Sequence, residues 1–308
     1  MHQFYTWVFE PGFFTSPQVH VAAIIGGLVA LVSAIVGVFT VLRGQSFGGH
    51  ALGDVSAAGG AGALLIGVSP VAGFVGLGIA GAGVMDMIGV RRLRGRDLAT
   101  GIVLGAAIGM SALFLFLGTT TGSTTGATQQ ILFGSIFTVT SGTIPVVAIL
   151  GAIATGTIAA ISRPLLLSTM SPDIAVARGV PVRLVGLAYM LALAVSVGLS
   201  SLAIGAILST ALLIGPAAAA LRLAKTVPWA VVTASLIGVL ATWAGVLLAY
   251  DSYYWGPAHQ GLPVSFFITG LIFASYLASG LHVAPGASRR RDAAAAAGAA
   301  TDRDQVAA

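Results

Sequence analysis

Long, nearly uninterrupted apolar segments dominate the chain. Nine of them approach the roughly 20 residues that a helix needs to cross a bilayer. They lie near residues 21–42, 51–69, 71–90, 99–118, 143–162, 183–200, 203–221, 228–250 and 264–281. Because apolar residues run continuously instead of alternating with polar ones, they predict helices and not the strands of a membrane barrel. The pattern therefore predicts an all-α, polytopic membrane bundle of about nine transmembrane helices.

Two pairs of these segments are separated by very few polar residues. Ser69-Pro70 lies between the second and third segments, and Ser200-Ser201 lies between the sixth and seventh. Each pair is predicted to form a tight helical hairpin. Residues 131–139 are apolar but too short to span a bilayer, which favours a re-entrant or interfacial helix.

The basic residues all fall on one side of this arrangement. Alternate crossings place all 14 Lys and Arg in the same set of loops, as expected of cytoplasmic loops. The opposite side receives the N-terminus, the 119–130 loop and the loop around Asp251, none of which is basic. We therefore expect the N-terminus outside and the C-terminus in the cytoplasm. Residues 1–282 form the predicted transmembrane domain, and residues 283–308 a disordered cytoplasmic tail.

Composition supports lipid as the solvent and excludes several function classes. The chain is 57% hydrophobic and 7% charged, whereas a soluble domain is about 25% charged. Its 42 glycines suit membrane helices that approach each other closely. The net charge of +5 comes without a basic stripe interleaved with aromatics, so nucleic acid is not an expected partner. The single lysine, Lys225, follows Ala224, so the chain lacks a phosphate-binding P-loop and is not expected to be an enzyme.

Several short stretches, in order along the chain, carry a family resemblance. They are Val41-Leu42-Arg43 with Gly-His-Ala-Leu-Gly-Asp at 49–54, Asp-Leu-Ala-Thr-Gly at 97–101, Leu-Phe-Gly-Ser-Ile at 132–136, the segment 171–181 beginning Ser-Pro-Asp-Ile-Ala, and Leu-Leu-Ile-Gly-Pro-Ala-Ala at 212–218. Their order and spacing, over most of residues 20–281, resemble the permease subunits of bacterial ABC importers for zinc, manganese and iron(II).

The resemblance implies a transport subunit of the bacterial cytoplasmic (inner) membrane that works with other proteins. Cytosolic ABC ATPase subunits would hydrolyse ATP, and an extracytoplasmic metal-binding protein would deliver the ion. A second copy of the chain, or a homologous permease, would complete the pathway within the lipid bilayer. The divalent ion (Zn²⁺, Mn²⁺ or Fe²⁺) would be the substrate, and no cofactor is expected in the chain itself.

His50 and Asp54 are the candidate metal ligands of the translocation pathway. They are four residues apart, so on a helix their side chains share one face about 5–6 Å apart at Cβ. Imidazole and carboxylate suit a borderline divalent cation. The alternative is a structural His–Asp hydrogen bond without metal. The family has Asp first and His four residues later, so this chain has the two residues in exchanged order.

The segment 171–181 is the candidate coupling helix for the ATPase. Ser-Pro-Asp is a good helix N-terminus, and the small residues that follow could dock in a groove of another subunit. The coupling residues that the resemblance implies are Ser171, Pro172, Asp173, Ala175 and Gly179. Ser171 stands where the family has Asp, which removes a charge from the expected contact.

Pro216 lies inside the seventh segment, where it removes one backbone hydrogen bond. It is therefore predicted to kink the helix, either as part of a gate or as a packing feature.

Other functions stay open at this point. An ABC permease for siderophores or cobalamin would share the architecture without needing His50 and Asp54. A secondary transporter driven by an ion gradient commonly shows inverted repeats and several midplane charges, and neither is evident here. A membrane-embedded enzyme would need clustered catalytic motifs, which the segments lack.

Overall fold

The computed structural model describes residue 13 and residues 16–88, 93–121, 131–134, 136–255 and 261–282. These residues form helices and turns, without strands. The long helices are α1 (Pro17–Leu42), α2 (Ser46–Leu65), α3 (Pro70–Ile88), α4 (Leu93–Thr121), α5 (Ile144–Met170), α7 (Val182–Ile204), α8 (Ala206–Leu223), α9 (Val227–Ser252) and α10 (Val264–His282). A short helix, α6 (Pro172–Ala177), connects α5 to α7.

Eight of the nine long helices in the described residues are long and apolar enough to cross a membrane. The exception is α2, which is rich in Gly and Ala and contains His50 and Asp54. Helices α3, α4, α7 and α8 pack around it, so α2 is shielded from lipid by protein over most of its surface. The all-α membrane bundle is confirmed, and its second predicted crossing is a helix suited to a protein interior rather than to lipid.

Helices α1 and α7 form the centre of the bundle. Most residues of both helices are buried, whereas few residues of α4 are. Ile25 of α1, Leu52 of α2 and Leu193 of α7 are fully buried in one apolar cluster. Since lipid gives no hydrophobic driving force between helices, close packing of small residues must hold such a bundle together.

The predicted hairpin of α2 and α3 is confirmed. A Cβ on Gly59 would overlap the carbonyl oxygen of Gly73, and a Cβ on Gly73 would overlap the carbonyl of Gly59. The two backbones therefore touch. The hairpin turn occupies residues 66–69, because Pro70 begins α3.

The second hairpin is also confirmed, but its break lies at Gly205 and not at Ser200-Ser201. Gly205 has φ +87°, a conformation that favours glycine, and it separates α7 from α8. Both serines lie inside α7, where Ser200 donates to the Ser196 carbonyl at 3.0 Å and pairs with the Ser33 hydroxyl at 2.6 Å. A serine that bonds to its own helix does not interrupt it, so it was a misleading signal.

The two helices of this hairpin fold back alongside α2. A Cβ on Gly49 would lie 2.9 Å from the Leu213 side chain and 3.9 Å from that of Leu193. One turn further along α2, a Cβ on Gly53 would lie 3.3 Å from the Val197 side chain. Residues before and after Gly205 therefore flank the same stretch of α2.

Residues 131–139 do not form the single short helix that was predicted. The chain is helical at 131–133, and Gly134 with φ +72° ends this helix. Two 3₁₀ turns follow, Ile136–Thr138 and Ser141–Thr143. Gly134 packs directly against the backbone of Gly205, which ties this segment to the α7–α8 hairpin.

Contacts identify the two ends of the bundle. At one end, Arg43 after α1 donates to the Thr169 hydroxyl near the end of α5 at 3.1 Å. At the other end lie the Gly205 break and the Gly134 segment. We call these the Arg43 end and the Gly205 end. The charge pattern predicts that the Arg43 end is cytoplasmic, and this orientation stays a prediction.

Candidate functional site

His50 and Asp54 lie together in the first half of α2, as predicted. The His50 Nε2 and Asp54 Oδ2 atoms are 3.7 Å apart. The side chain of His50 is 42% exposed and that of Asp54 is 17% exposed. The pair therefore opens onto a surface of the single chain instead of being sealed inside it.

The separation of the pair is that of an ion pair and not of a direct hydrogen bond, which needs about 2.7–3.2 Å between nitrogen and oxygen. Two ligands at about 2.1 Å from one ion lie about 3.4 Å apart at a tetrahedral angle, so the spacing is also compatible with shared coordination of one cation. The role of the pair as metal ligands stays a prediction.

The hydrogen bond of His50 runs to another helix. Its Nδ1 atom lies 3.0 Å from the hydroxyl oxygen of Thr210, early in α8. The sequence analysis missed Thr210, because 160 residues separate it from His50 and a lone threonine in an apolar helix gives no signal. The α7–α8 hairpin at Gly205 brings it there.

The pair belongs to a partly exposed strip shared by α2 and α8. We call this strip the α2–α8 face. Its members recur at helical spacing on the two helices: Phe47, His50 and Asp54 on α2, and Ile207, Thr210 and Ile214 on α8. Within the described residues, no group of three or more His, Cys, Asp or Glu could hold a metal. The α2–α8 face of one chain thus offers two candidate ligands, His50 and Asp54.

Pro216 lies buried inside α8, on the side away from this face. A Cβ on Gly238 of α9 would lie 3.7 Å from the Pro216 ring, and α1 approaches α8 so closely at Gly37 that a Cβ there would overlap the Leu213 carbonyl. The proline is thus in contact with the packed side of α8. Its role in gating stays a prediction.

The candidate coupling segment forms a short, exposed helix at the Arg43 end. Ser171 occupies the N-cap position, Pro172 follows it in the first turn, and Asp173 is the acidic residue of that turn. Ala175 is fully buried and anchors the helix against its neighbours. Asp173 is exposed, as is most of the segment.

The end of α6 explains why Gly179 is a glycine. The amide of Val180 donates to the Ala175 carbonyl at 3.0 Å, and the amide of Gly179 donates to the Val176 carbonyl at 2.9 Å. This pair of bonds is the Schellman motif, which places its glycine at positive φ. Gly179 has φ +75°, a backbone conformation that favours glycine. A Cβ there would meet nothing within 4 Å, so the backbone conformation and not a lack of space accounts for the glycine.

Exposed apolar side chains surround this helix. Ile174 and Val176 of α6 are 51% and 64% exposed, and Met170 and Leu184 beside it are 85% and 64% exposed. An exposed apolar patch commonly marks a contact with another protein or with the membrane. The role of this patch in docking the ATPase stays a prediction.

These features point to a class of protein. A polytopic helical bundle with a partly exposed His–Asp pair, and a short exposed helix at one end, has the architecture expected of the transmembrane subunit of a transporter.

A comparison with known protein families identifies the family to which the chain belongs. The model of the ABC 3 transport family matches residues 16–281. The chain therefore belongs to this family and is a membrane permease of the ABC transporter type, which argues against transport driven by an ion gradient.

Two solved structures are similar over most of the chain. PsaBC from Streptococcus pneumoniae, solved in complex with Fab, is 25% identical with a TM-score of 0.76, and the match covers 92% of this chain and 97% of that one. An ABC transporter described as metal-chelate type, in an inward-facing conformation, is 16% identical with a TM-score of 0.67 and 88% coverage of both chains. The second likeness shows the fold alone. No curated protein sequence matches.

Proposed function

We propose that the chain is the permease subunit of an ABC importer for divalent metal ions, Zn²⁺, Mn²⁺ or Fe²⁺, and that the ion passes along the α2–α8 face. The observation that carries this proposal is the His50–Asp54 pair, whose 3.7 Å spacing on an open face suits shared coordination of one ion. A site with two strong ligands also releases its ion readily, as a pathway must.

The pair is unsuited to face lipid. A carboxylate at the bilayer centre costs about 2.5–3.5 kcal/mol on insertion scales, so such a group normally faces a partner or an aqueous cavity. A second copy of the chain, or a homologous permease, placed against the α2–α8 face would shield it. Two copies of the pair would then supply four ligands, the number that Zn²⁺ usually takes.

The remaining partners follow from the two ends of the bundle. Cytosolic ATPase subunits would dock on α6 and its apolar patch, and their closure on ATP would move the helices that α6 connects. An extracytoplasmic metal-binding protein would deliver the ion at the Gly205 end. This arrangement requires the bacterial cytoplasmic membrane with the Arg43 end inside.

The main rival is an ABC permease for a metal chelate such as a siderophore or cobalamin. The ligands of a chelated metal come from the chelator, so its permease has no need for bare His and Asp side chains on the pathway. The rival therefore predicts that transport survives the loss of His50 and Asp54.

Uptake by the assembled transporter tests the proposal. His50→Ala and Asp54→Ala should each reduce uptake of Zn²⁺, Mn²⁺ and Fe²⁺ at least tenfold, while the complex assembles and keeps its basal ATPase activity. Thr157→Ala is a matched control, since Thr157 is exposed on α5 and bonds only to the Ile153 carbonyl of its own helix at 2.7 Å. Ferric siderophore or cobalamin uptake that is unaffected in both variants would establish the rival.

A further inference from the structure

Thr210 is the one described residue that joins the candidate metal pair to a second helix. Its hydroxyl oxygen lies 3.0 Å from His50 Nδ1, and it is half-buried beside the pair on α8. Thr210 follows the Gly205 break by little more than one turn, so the α7–α8 hairpin sets its position.

The two ring nitrogens of a neutral histidine have different roles. One carries the proton and donates, while the other has the lone pair that can bind a metal. Metal-binding histidines almost always donate their second ring N–H to an oxygen acceptor, which fixes the tautomer and the ring orientation. In this chain, Nδ1 faces the Thr210 hydroxyl, and Nε2 is the nitrogen directed toward Asp54.

We infer that Thr210 is the positioning residue of His50: the Nδ1–H of His50 donates a hydrogen bond to the Thr210 hydroxyl oxygen, which directs the Nε2 lone pair toward the ion beside Asp54. The inference rests on the proposed function, because it assigns His50 a metal to bind. Thr210 itself does not touch the ion.

Metal binding to the purified permease complex tests this role. Thr210→Val keeps the side-chain shape and removes the acceptor, so Co²⁺ and Zn²⁺ should bind about tenfold more weakly, the lower end of the effect of such oxygen partners on metal affinity. The visible spectrum of bound Co²⁺ should change as well. Thr210→Ser restores the hydroxyl and should recover both affinity and spectrum, whereas Thr157→Val on α5 should leave both unchanged.

A measurement without metal separates this inference from the proposed function. ¹⁵N-histidine NMR of the complex should show His50 protonated at Nδ1 in the unsubstituted protein, and Thr210→Val should shift the ring toward a mixture of tautomers. A His50 protonated at Nε2, or unchanged binding in Thr210→Val, overturns the inference and leaves the proposed function intact. Co²⁺ binding that does not depend on His50 at all overturns both.

Discussion

At the scale of single residues, Gly179 has a conformational requirement and also a place in the proposed docking surface. Its φ of +75° closes α6 through the Schellman motif, and it is exposed in the surface on which we propose that the ATPase docks. Most L-residues in this left-handed region cost about 1–3 kcal/mol, whereas Asn tolerates it. A substitution at Gly179 therefore tests docking only when backbone strain is controlled.

Docking of the ATPase on α6 predicts a specific set of results. Gly179→Glu should uncouple ATP hydrolysis from metal uptake, because it adds charge to the docking surface. Val176→Glu should also uncouple hydrolysis from uptake. Val176 is 64% exposed and lies within α6, so this substitution adds the charge without the backbone strain expected at Gly179. Gly179→Asn should transport normally, and all three variants should insert into the membrane. Normal coupled transport by both Glu variants would remove α6 from the ATPase interface.

The sequence could predict part of the site at this scale. His50 and Asp54 were found because four-residue spacing has a fixed meaning on a helix. Thr210 could not be found, since its proximity to His50 depends on how far α7 runs before it turns. The serines at 200 and 201 suggested an earlier turn, which would have placed α8 differently along α2.

At the scale of elements, the contact of Gly134 with Gly205 holds the α7–α8 hairpin. Both glycines have positive φ, and a Cβ on either would overlap the backbone of the other segment. The Leu-Phe-Gly motif at 132–134, noticed in the sequence only as part of a family pattern, thus has a physical purpose. It lets the segment that follows α4 pack against the turn that positions α8.

This contact predicts a loss of stability on substitution. Gly205→Ala should lower the free energy of unfolding by at least about 1–3 kcal/mol, from the positive φ alone, with backbone overlap adding to the cost. Gly186→Ala is the control, because Gly186 lies inside α7 and a Cβ there meets nothing within 4 Å. Thermal unfolding of the purified protein in detergent compares the two. Equal stability of both variants would show that the glycine contact is dispensable.

The elements themselves were largely predictable for a simple reason. A bilayer demands long apolar helices, so hydropathy located all nine, although α4 begins earlier than predicted, at Leu93, and α5 ends later, at Met170. Their interruptions were harder to locate. Gly134 and Gly205 act through backbone conformation and close approach, and hydropathy does not register either property.

At the scale of the whole molecule, the distribution of polar groups distinguishes lipid-facing from partner-facing surfaces. Helix α4 packs on α2, but it is strongly apolar and few of its residues are buried, as expected of a helix that also faces lipid. The α2–α8 face is also open but contains His50, Asp54 and Thr210. The same fold thus presents one surface to lipid and another, more polar, to the proposed pathway between two permeases.

The most direct test of the metal pathway removes both ligands at once. In His50→Leu/Asp54→Leu, apolar side chains replace both members of the pair, so neither is left buried without the other. The Thr210 hydroxyl loses its partner His50 Nδ1, but Thr210 is only half-buried. If the pair coordinates the transported ion, the assembled complex should keep its basal ATPase activity and fail to take up Zn²⁺, Mn²⁺ or Fe²⁺. Metal uptake restored to the level of the unsubstituted transporter would contradict the account, whatever the single substitutions show.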